Sequence, residues 1–408
     1  MSPLMWEWVS FALRWVHVIT AIAWIGSSFY FIALDLGLRR ALNAPRGVGG
    51  EAWQVHGGGF YHIQKYMVAP EGMPEDLTWF KWEAYSTWIS GFALLCVVYL
   101  AGADLHLIDT SVLDLARWQA VIISLVVLAA GWIVYDLACR SPLGRHEALL
   151  AVIVFGYFVL VCLILTYVFT GRGAFVLTGA LMASAMTGNV FFVIIPNQKK
   201  VVASLIAGRD PDPELGREAK LRSLHNNYLT LPVLFMMLST HNPLAFATEF
   251  NWVIAALVMV IGVVVRHFFN TMHAHGGYAW WTWGVAALCG IGIAWLSSFP
   301  APAPAATKQS AAVRSSLAAA IAAPEFAAVR DIVQIRCMVC HSDPPAWGDL
   351  AAPPKGVRLD SDENIALHAT DIDLQAVRSR SMPPGNLSGL TDAERTQIAA
   401  WARAIGVD

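Results

Sequence analysis

A chain of 408 residues that is 57 % hydrophobic and only 14 % charged, with mean hydropathy +0.53, is not an ordinary soluble domain. Soluble domains carry about 25 % charged residues, so the composition reads as a membrane protein with something appended. The formal net charge is −2, and no basic patch points to a nucleic-acid partner.

Apolar runs long enough to span about 30 Å of hydrocarbon lie at roughly 9–34, 84–102, 118–138, 148–170, 174–196, 223–240, 252–270 and 278–298. They predict an all-α polytopic bundle of eight transmembrane helices. The sixth run is the most polar at its start, where His225, Asn226, Asn227 and Tyr228 stand together. No basic segment precedes the first run, and that run is too long for a signal h-region, so no cleavable signal peptide is expected.

Lysine and arginine set the orientation. One set of loops carries Arg39, Arg40, Arg46, Lys65, Lys81, Arg140, Arg145, Lys199, Lys200, Arg209, Arg217, Lys220, Arg222 and Arg266. The opposite set carries only Arg117 and Arg172. The basic side is predicted to be cytoplasmic in a bacterial inner membrane, with both termini on the periplasmic side.

Between the first two runs lies a cytoplasmic segment, 36–83, and a connection this long is functional or disordered. Its Trp53, Phe60, Tyr61, Tyr66, Trp79, Phe80 and Trp82 argue for a folded segment. Within it, His56-Gly57-Gly58-Gly59-Phe60-Tyr61-His62 admits two readings. Three glycines let backbone amides approach a ligand closely, or they make a tight turn.

After the membrane domain, 1–299, residues 300–316 open on Pro-Ala-Pro-Ala-Pro and read as a linker. Residues 317–408 are the size of one small α-helical cytochrome c domain. Cys337-Met338-Val339-Cys340-His341 is the c-type haem attachment spacing: two thiols reach the two vinyl groups and the adjacent imidazole stands over the iron. Forty-one residues on from His341, Met382 is followed by two prolines, as suits the second axial ligand of a Met/His cytochrome. Iron is therefore expected on His341 and Met382. A zinc reading would need two further ligands at pair spacing, and this region offers only His368. A helix should run into Cys337, and another should cover 391–405, with Thr391 and Glu394 as a capping box and Gly406 ending it. Cys96, Cys139, Cys162 and Cys289 lie in or beside apolar runs, where thiols pack as small hydrophobes, and no disulfide framework is expected.

Histidines inside membrane runs are functional candidates. His17 on the first helix is a candidate ligand for a second, non-covalent haem b, with His267 beside Arg266 as a further candidate. Oxidation on the cytoplasmic side would need such a carrier, because electrons would have to cross about 30 Å; oxidation near the outer face would not.

Taken together, the segments resemble the bacterial membrane-bound, cytochrome c-linked urate oxidases (urate hydroxylases). The resemblance rests on His56-Gly-Gly-Gly-Phe-Tyr61, Trp79-Phe-Lys-Trp-Glu-Ala-Tyr85, His225-Asn-Asn-Tyr-Leu-Thr-Leu-Pro232, Arg266-His-Phe-Phe-Asn270 and the Cys337/Met382 cytochrome. It implies conversion of urate to 5-hydroxyisourate, with electrons leaving through haem c to a soluble cytochrome c or a terminal oxidase. Binding such a flat anion takes an aromatic face, a cation, amides for its edge and a base. His225, Asn226, Asn227 and Tyr228 are the first candidates and His56 and His62 the second, with Lys65 and Arg266 as cations. The competing reading makes Asn226 and Asn227 helix caps and Tyr228 part of an interfacial aromatic belt. A quinol-linked or other respiratory electron-transfer protein is the alternative function. A redox-switched transporter or sensor would require matched broken helices, which the sequence does not display.

Overall fold

The computed structural model describes residues 3–40, 45–70, 73–109, 112–299, 311–347, 350 and 353–407. Among the described residues, six helices are long and apolar enough to cross a membrane. They are α1 (Pro3–Gly37), α2 (Trp82–Leu100), α3 (Arg117–Arg140), α4 (Glu147–Thr166), α5 (Gly171–Ile206) and, later in the chain, α7 (Asn251–His273). Between the last two runs α6 (Pro213–Ser239), which carries more polar residues, and after them α8 (Trp281–Leu296) follows with a shorter apolar length. All eight apolar runs are thus helical, and six have the length and hydropathy of a span.

Helix α5 is the centre of the bundle. Its most apolar window is 72 % buried, whereas that of α1 is 0 % buried, and a helix apolar on all sides belongs inside. Around it pack α2, α3, α4 and α6, with α7 against α4 and α6, α8 against α7, and α1 at the edge against α2 and α7.

The expected all-α fold is corrected by one two-stranded sheet. Strands β1 (Val48–His56) and β2 (Gly59–Tyr66) pair antiparallel, His56 opposite Gly59 and Trp53 opposite His62. Gly57 (φ 61°) and Gly58 (φ 79°) form the turn. Two consecutive positive-φ residues are what a two-residue hairpin turn demands, so the triglycine works as a turn. Aromatic and β-branched residues around it supply the strand propensity.

Helix α6 starts ten residues before the apolar run it contains, capped by Asp212, whose carboxylate accepts from the Glu214 amide. Asn226 and Asn227 therefore lie in mid-helix and cap nothing.

The C-terminal unit is helical, with α9 (Ala311–Ala322), α10 (Phe326–Arg336) running into Cys337, and α11 (Asp392–Ala404). Within the stretch expected as linker, the alanine-rich residues from 311 are helical, as strong helix formers; residues 300–310 lie outside the described set. Thr391 and Glu394 form the capping box of α11 as expected. Val329, Val333, Ile365, Ile398 and Trp401 fill the core between α10 and α11, and Trp401 Nε1 donates to the Ala320 carbonyl at 3.0 Å.

Inside the bundle, α3, α5 and α6 are joined by an ionic contact that apolar packing alone would not require. Arg222 Nη2 donates to Asp136 Oδ1 at 2.7 Å, and both residues are buried, 3 % and 8 % exposed. Removing one partner of such a pair strands the other charge, at a cost of about 3–5 kcal/mol. Asp136→Ala should therefore lower the thermal midpoint of the purified protein far more than Asp104→Ala at the surface pair with Arg117, measured by near-UV circular dichroism.

Candidate functional site

At the hairpin end of the bundle, the motif His225-Asn226-Asn227-Tyr228 divides between two neighbourhoods. Successive helical residues are about 100° apart, so the four cannot face one pocket. His225 and Asn226 face α3 and α5. The Tyr135 hydroxyl lies in hydrogen-bond contact with His225 Nδ1 at 2.8 Å and accepts from Asn189 Nδ2 at 2.9 Å. Asn189 Nδ2 also reaches Asn226 Oδ1 (2.9 Å), Asn226 Nδ2 donates to the Met186 carbonyl (3.0 Å), and Arg222 Nη1 donates to Asn189 Oδ1 (3.0 Å). This network ends on Asp136 and Arg140. These are the hydrogen bonds of a polar layer that ties helices together.

Asn227 faces the other way, toward α7. Its Oδ1 accepts from Asn270 Nδ2 (2.9 Å) and from Arg266 Nε (3.3 Å), and Arg266 Nη2 donates to Asn270 Oδ1 (3.2 Å). The Arg266 guanidinium lies 3.7 Å from the centre of the Phe29 ring on α1. Arg266 is 6 % exposed. Among the described residues it has no ion pair with a carboxylate, and its hydrogen bonds run to neutral amides. Among the described residues, Asn227 Nδ2 and His273 Nδ1 are buried atoms without a hydrogen-bond partner. Arg266, Asn270 and His273 stand at i, i+4 and i+7 and share one face of α7. The cluster therefore offers a buried cation, an aromatic ring, amide groups and an imidazole with an open nitrogen.

Tyr228, one position on from Asn227, is half-buried. His56 and His62 lie on the hairpin: His56 is exposed beside the turn, and His62 stacks on Trp53 (ring centres 4.1 Å apart) and bonds Glu51 (2.9 Å). Lys65 pairs with Asp35 at 2.7 Å. Among the described residues, none of these hydrogen-bonds to the Arg266 cluster. His267 is exposed on α7, its ring 6.0 Å from that of Trp281. Phe29 and His273 were not singled out from sequence; helical spacing from Arg266 marks His273, but nothing in the sequence marks Phe29.

A cavity of about 2270 Å³ opens at the other end, between the bundle and the C-terminal unit. Cys337, Cys340, His341 and Met382 line it from one side, and Tyr99, His106, Thr170 and Arg172 from the other. The Cys337 thiol is pushed up to about 11, chiefly by burial. His341 Nδ1 donates to the Val357 carbonyl at 2.9 Å, which leaves Nε2 as the lone-pair nitrogen. Burial lowers the pKa of this imidazole, so it stays neutral and able to coordinate. The Met382 loop is held from behind by buried Arg395, which donates to the carbonyls of Ala376 and Met382. Among the described residues no three His, Cys, Asp or Glu side chains gather as a metal cluster.

The comparison with known families fits this helical architecture: the model of the urate oxidase N-terminal family matches residues 3–297. The chain belongs to that family. Urate-related oxidation is accordingly its chemistry, and the matched range covers the bundle with the Arg266 cluster and ends before the C-terminal unit. Neither the curated proteins nor the solved structures include a match to this urate oxidase family member.

His106 gives the floor of the cavity a pH response. Burial, aided by the Arg172 charge, pushes its imidazole down to about 4 from an ordinary value near 6.5. The unfolded chain thus binds more protons than the folded one between those values, and stability falls as pH drops from 6.5 toward 4. The thermal midpoint should decline across that window, and His106→Gln should flatten the decline.

Proposed function

We propose that this urate oxidase family member is a membrane-bound urate hydroxylase linked to a cytochrome c, converting urate to 5-hydroxyisourate. In this reading all eight helices lie in the bacterial inner membrane, with both termini and the C-terminal unit on the periplasmic side. The length and hydropathy of the six spans support it, as does the asymmetry of Lys and Arg between the two sets of loops.

The observation that carries the substrate assignment is Arg266, a buried cation answered only by amides and a ring. A buried charge without a counter-charge is expensive, and the urate monoanion would supply one. Urate also presents carbonyl and N–H groups around a flat ring, to which the open Nδ2 of Asn227 and the amide of Asn270 are suited. The half-reaction is C5H3N4O3⁻ + H2O → C5H4N4O4 + H⁺ + 2e⁻, with water adding at C5. One proton must leave, and His273 Nδ1, buried and without a partner, is placed to accept it. His225 and Asn226 hold α6 in position for Asn227.

The donor set of the C-terminal unit fits a covalent haem c. Cys337 and Cys340 are free thiols facing one cavity with His341 and Met382, and the Val357 carbonyl fixes the His341 tautomer for coordination. The haem supplies what side chains cannot, a one-electron acceptor used twice per turnover, with a soluble cytochrome c or a terminal oxidase downstream. Arg395 keeps the Met382 loop against the cavity.

Arg266→Gln removes the charge and keeps an amide. Losing one partner of a buried charged contact costs about 2–5 kcal/mol, so kcat/KM for urate with an artificial electron acceptor should fall roughly 30-fold or more. The covalent haem content should stay unchanged. Full activity in Arg266→Gln would remove the cluster from the substrate site.

A further inference from the structure

The cavity beneath Cys337 and His341 does not end at the C-terminal unit. On α1 its lining runs from Trp6 to Trp24, and on α5 from Arg172 to Thr187. At 1.5 Å per residue these are about 27 Å and about 22 Å along the helices. Its 2270 Å³ exceeds twice the upper end of ordinary ligand pockets, about 1,000 Å³. One prosthetic group at the mouth leaves the inner chamber to be accounted for.

His17 stands on the wall of that chamber. Its Nδ1 lies 3.0 Å from the Thr87 carbonyl, and a carbonyl only accepts, so Nδ1 carries the proton and Nε2 the lone pair. Nε2 makes no hydrogen bond among the described residues. A metal-ligating histidine donates its other N–H in this way, and His341 does the same to the Val357 carbonyl. Gly91 keeps the ring in place: a Cβ there would stand 2.7 Å from His17 Cε1. Small side chains, Ala180 and Ala183 on α5, form another part of the wall, and Arg14 lies one turn from His17 toward the mouth.

We propose that the inner chamber binds a second, non-covalent tetrapyrrole, a b-type haem, with His17 Nε2 as an axial ligand. A long, mostly apolar slot carrying one oriented imidazole suits a flat macrocycle, and a single histidine suffices to hold haem iron. Arg14 is the cation available to its propionates. His267, the other candidate from sequence, is exposed on α7 and does not line the chamber. The role of this haem as a relay, Fe(III) taking one electron and returning it, rests on the function proposed above. Along α1, Phe29 of the Arg266 cluster is about 33 Å from Glu7 at the mouth, and His17 divides that length into about 18 Å and 15 Å. Tunnelling falls exponentially with distance, so two such steps are far faster than one. The binding site itself does not depend on that reading.

Acid–acetone extraction of the purified full-length protein separates the two haems, because covalent haem c stays with the chain. Pyridine haemochrome spectra of extract and residue should each give about one haem per chain, one of b type and one of c type. His17→Ala and Gly91→Leu should lose the extractable haem at least tenfold while the covalent haem in the same sample, the control for folding, is retained. Free imidazole added to His17→Gly should restore a b-type spectrum. A wild-type protein holding covalent haem alone, or a His17→Ala protein keeping its full extractable haem, overturns the proposal. A protein with extractable but no covalent haem would uphold it and remove the cytochrome reading instead.

Discussion

Arg222 and Asp136 meet at 2.7 Å in the interior of the bundle, and the candidate substrate cluster depends on that contact. The pair cannot be left half-made, so it sets the rotation of α6 against α3. Asn189, Tyr135, His225 and Asn226 extend it into a layer in which each member finds a partner. Once α6 is fixed with Asn226 facing α3 and α5, Asn227 has to face α7. Arg266 then finds amides where a carboxylate would normally be. The unpaired cation is thus a consequence of the paired one.

Much of the fold is legible in the sequence because it follows from solvent preference. Eight apolar runs become eight helices, and the α11 capping box falls on Thr391 and Glu394. The hairpin is harder to see: its strands are nine and eight residues with exposed aromatics, so no alternation of buried and solvent faces announces them. The site is legible only in part. A run such as His225–Tyr228 looks like one constellation in print, but helical rotation distributes it over two. By the same rotation Arg266 keeps company with Asn270 and His273, while its chain neighbour His267 turns outward. Phe29 comes from a helix more than two hundred residues away, and contacts of that range leave no mark on local patterning.

The two ends of the molecule differ in what they can bind. Near the hairpin a cation, amides and an open imidazole nitrogen suit a small anion that loses a proton. Facing the C-terminal unit, thiols, a thioether and an imidazole with a fixed tautomer suit a haem. The cavity runs from the second toward the first along α1 and α5, the central helix, which separates helix function into scaffold on its packed side and channel wall on its open side.

In the proposed function, urate oxidation and the cytochrome belong to one electron path in one chain. The most direct measurement is an anaerobic optical titration of the purified, oxidised protein with urate. Reduction of the c-type bands is expected, complete at about one urate per two electron equivalents accepted. If ascorbate reduces those bands and urate does not, the path from urate to the C-terminal unit does not exist.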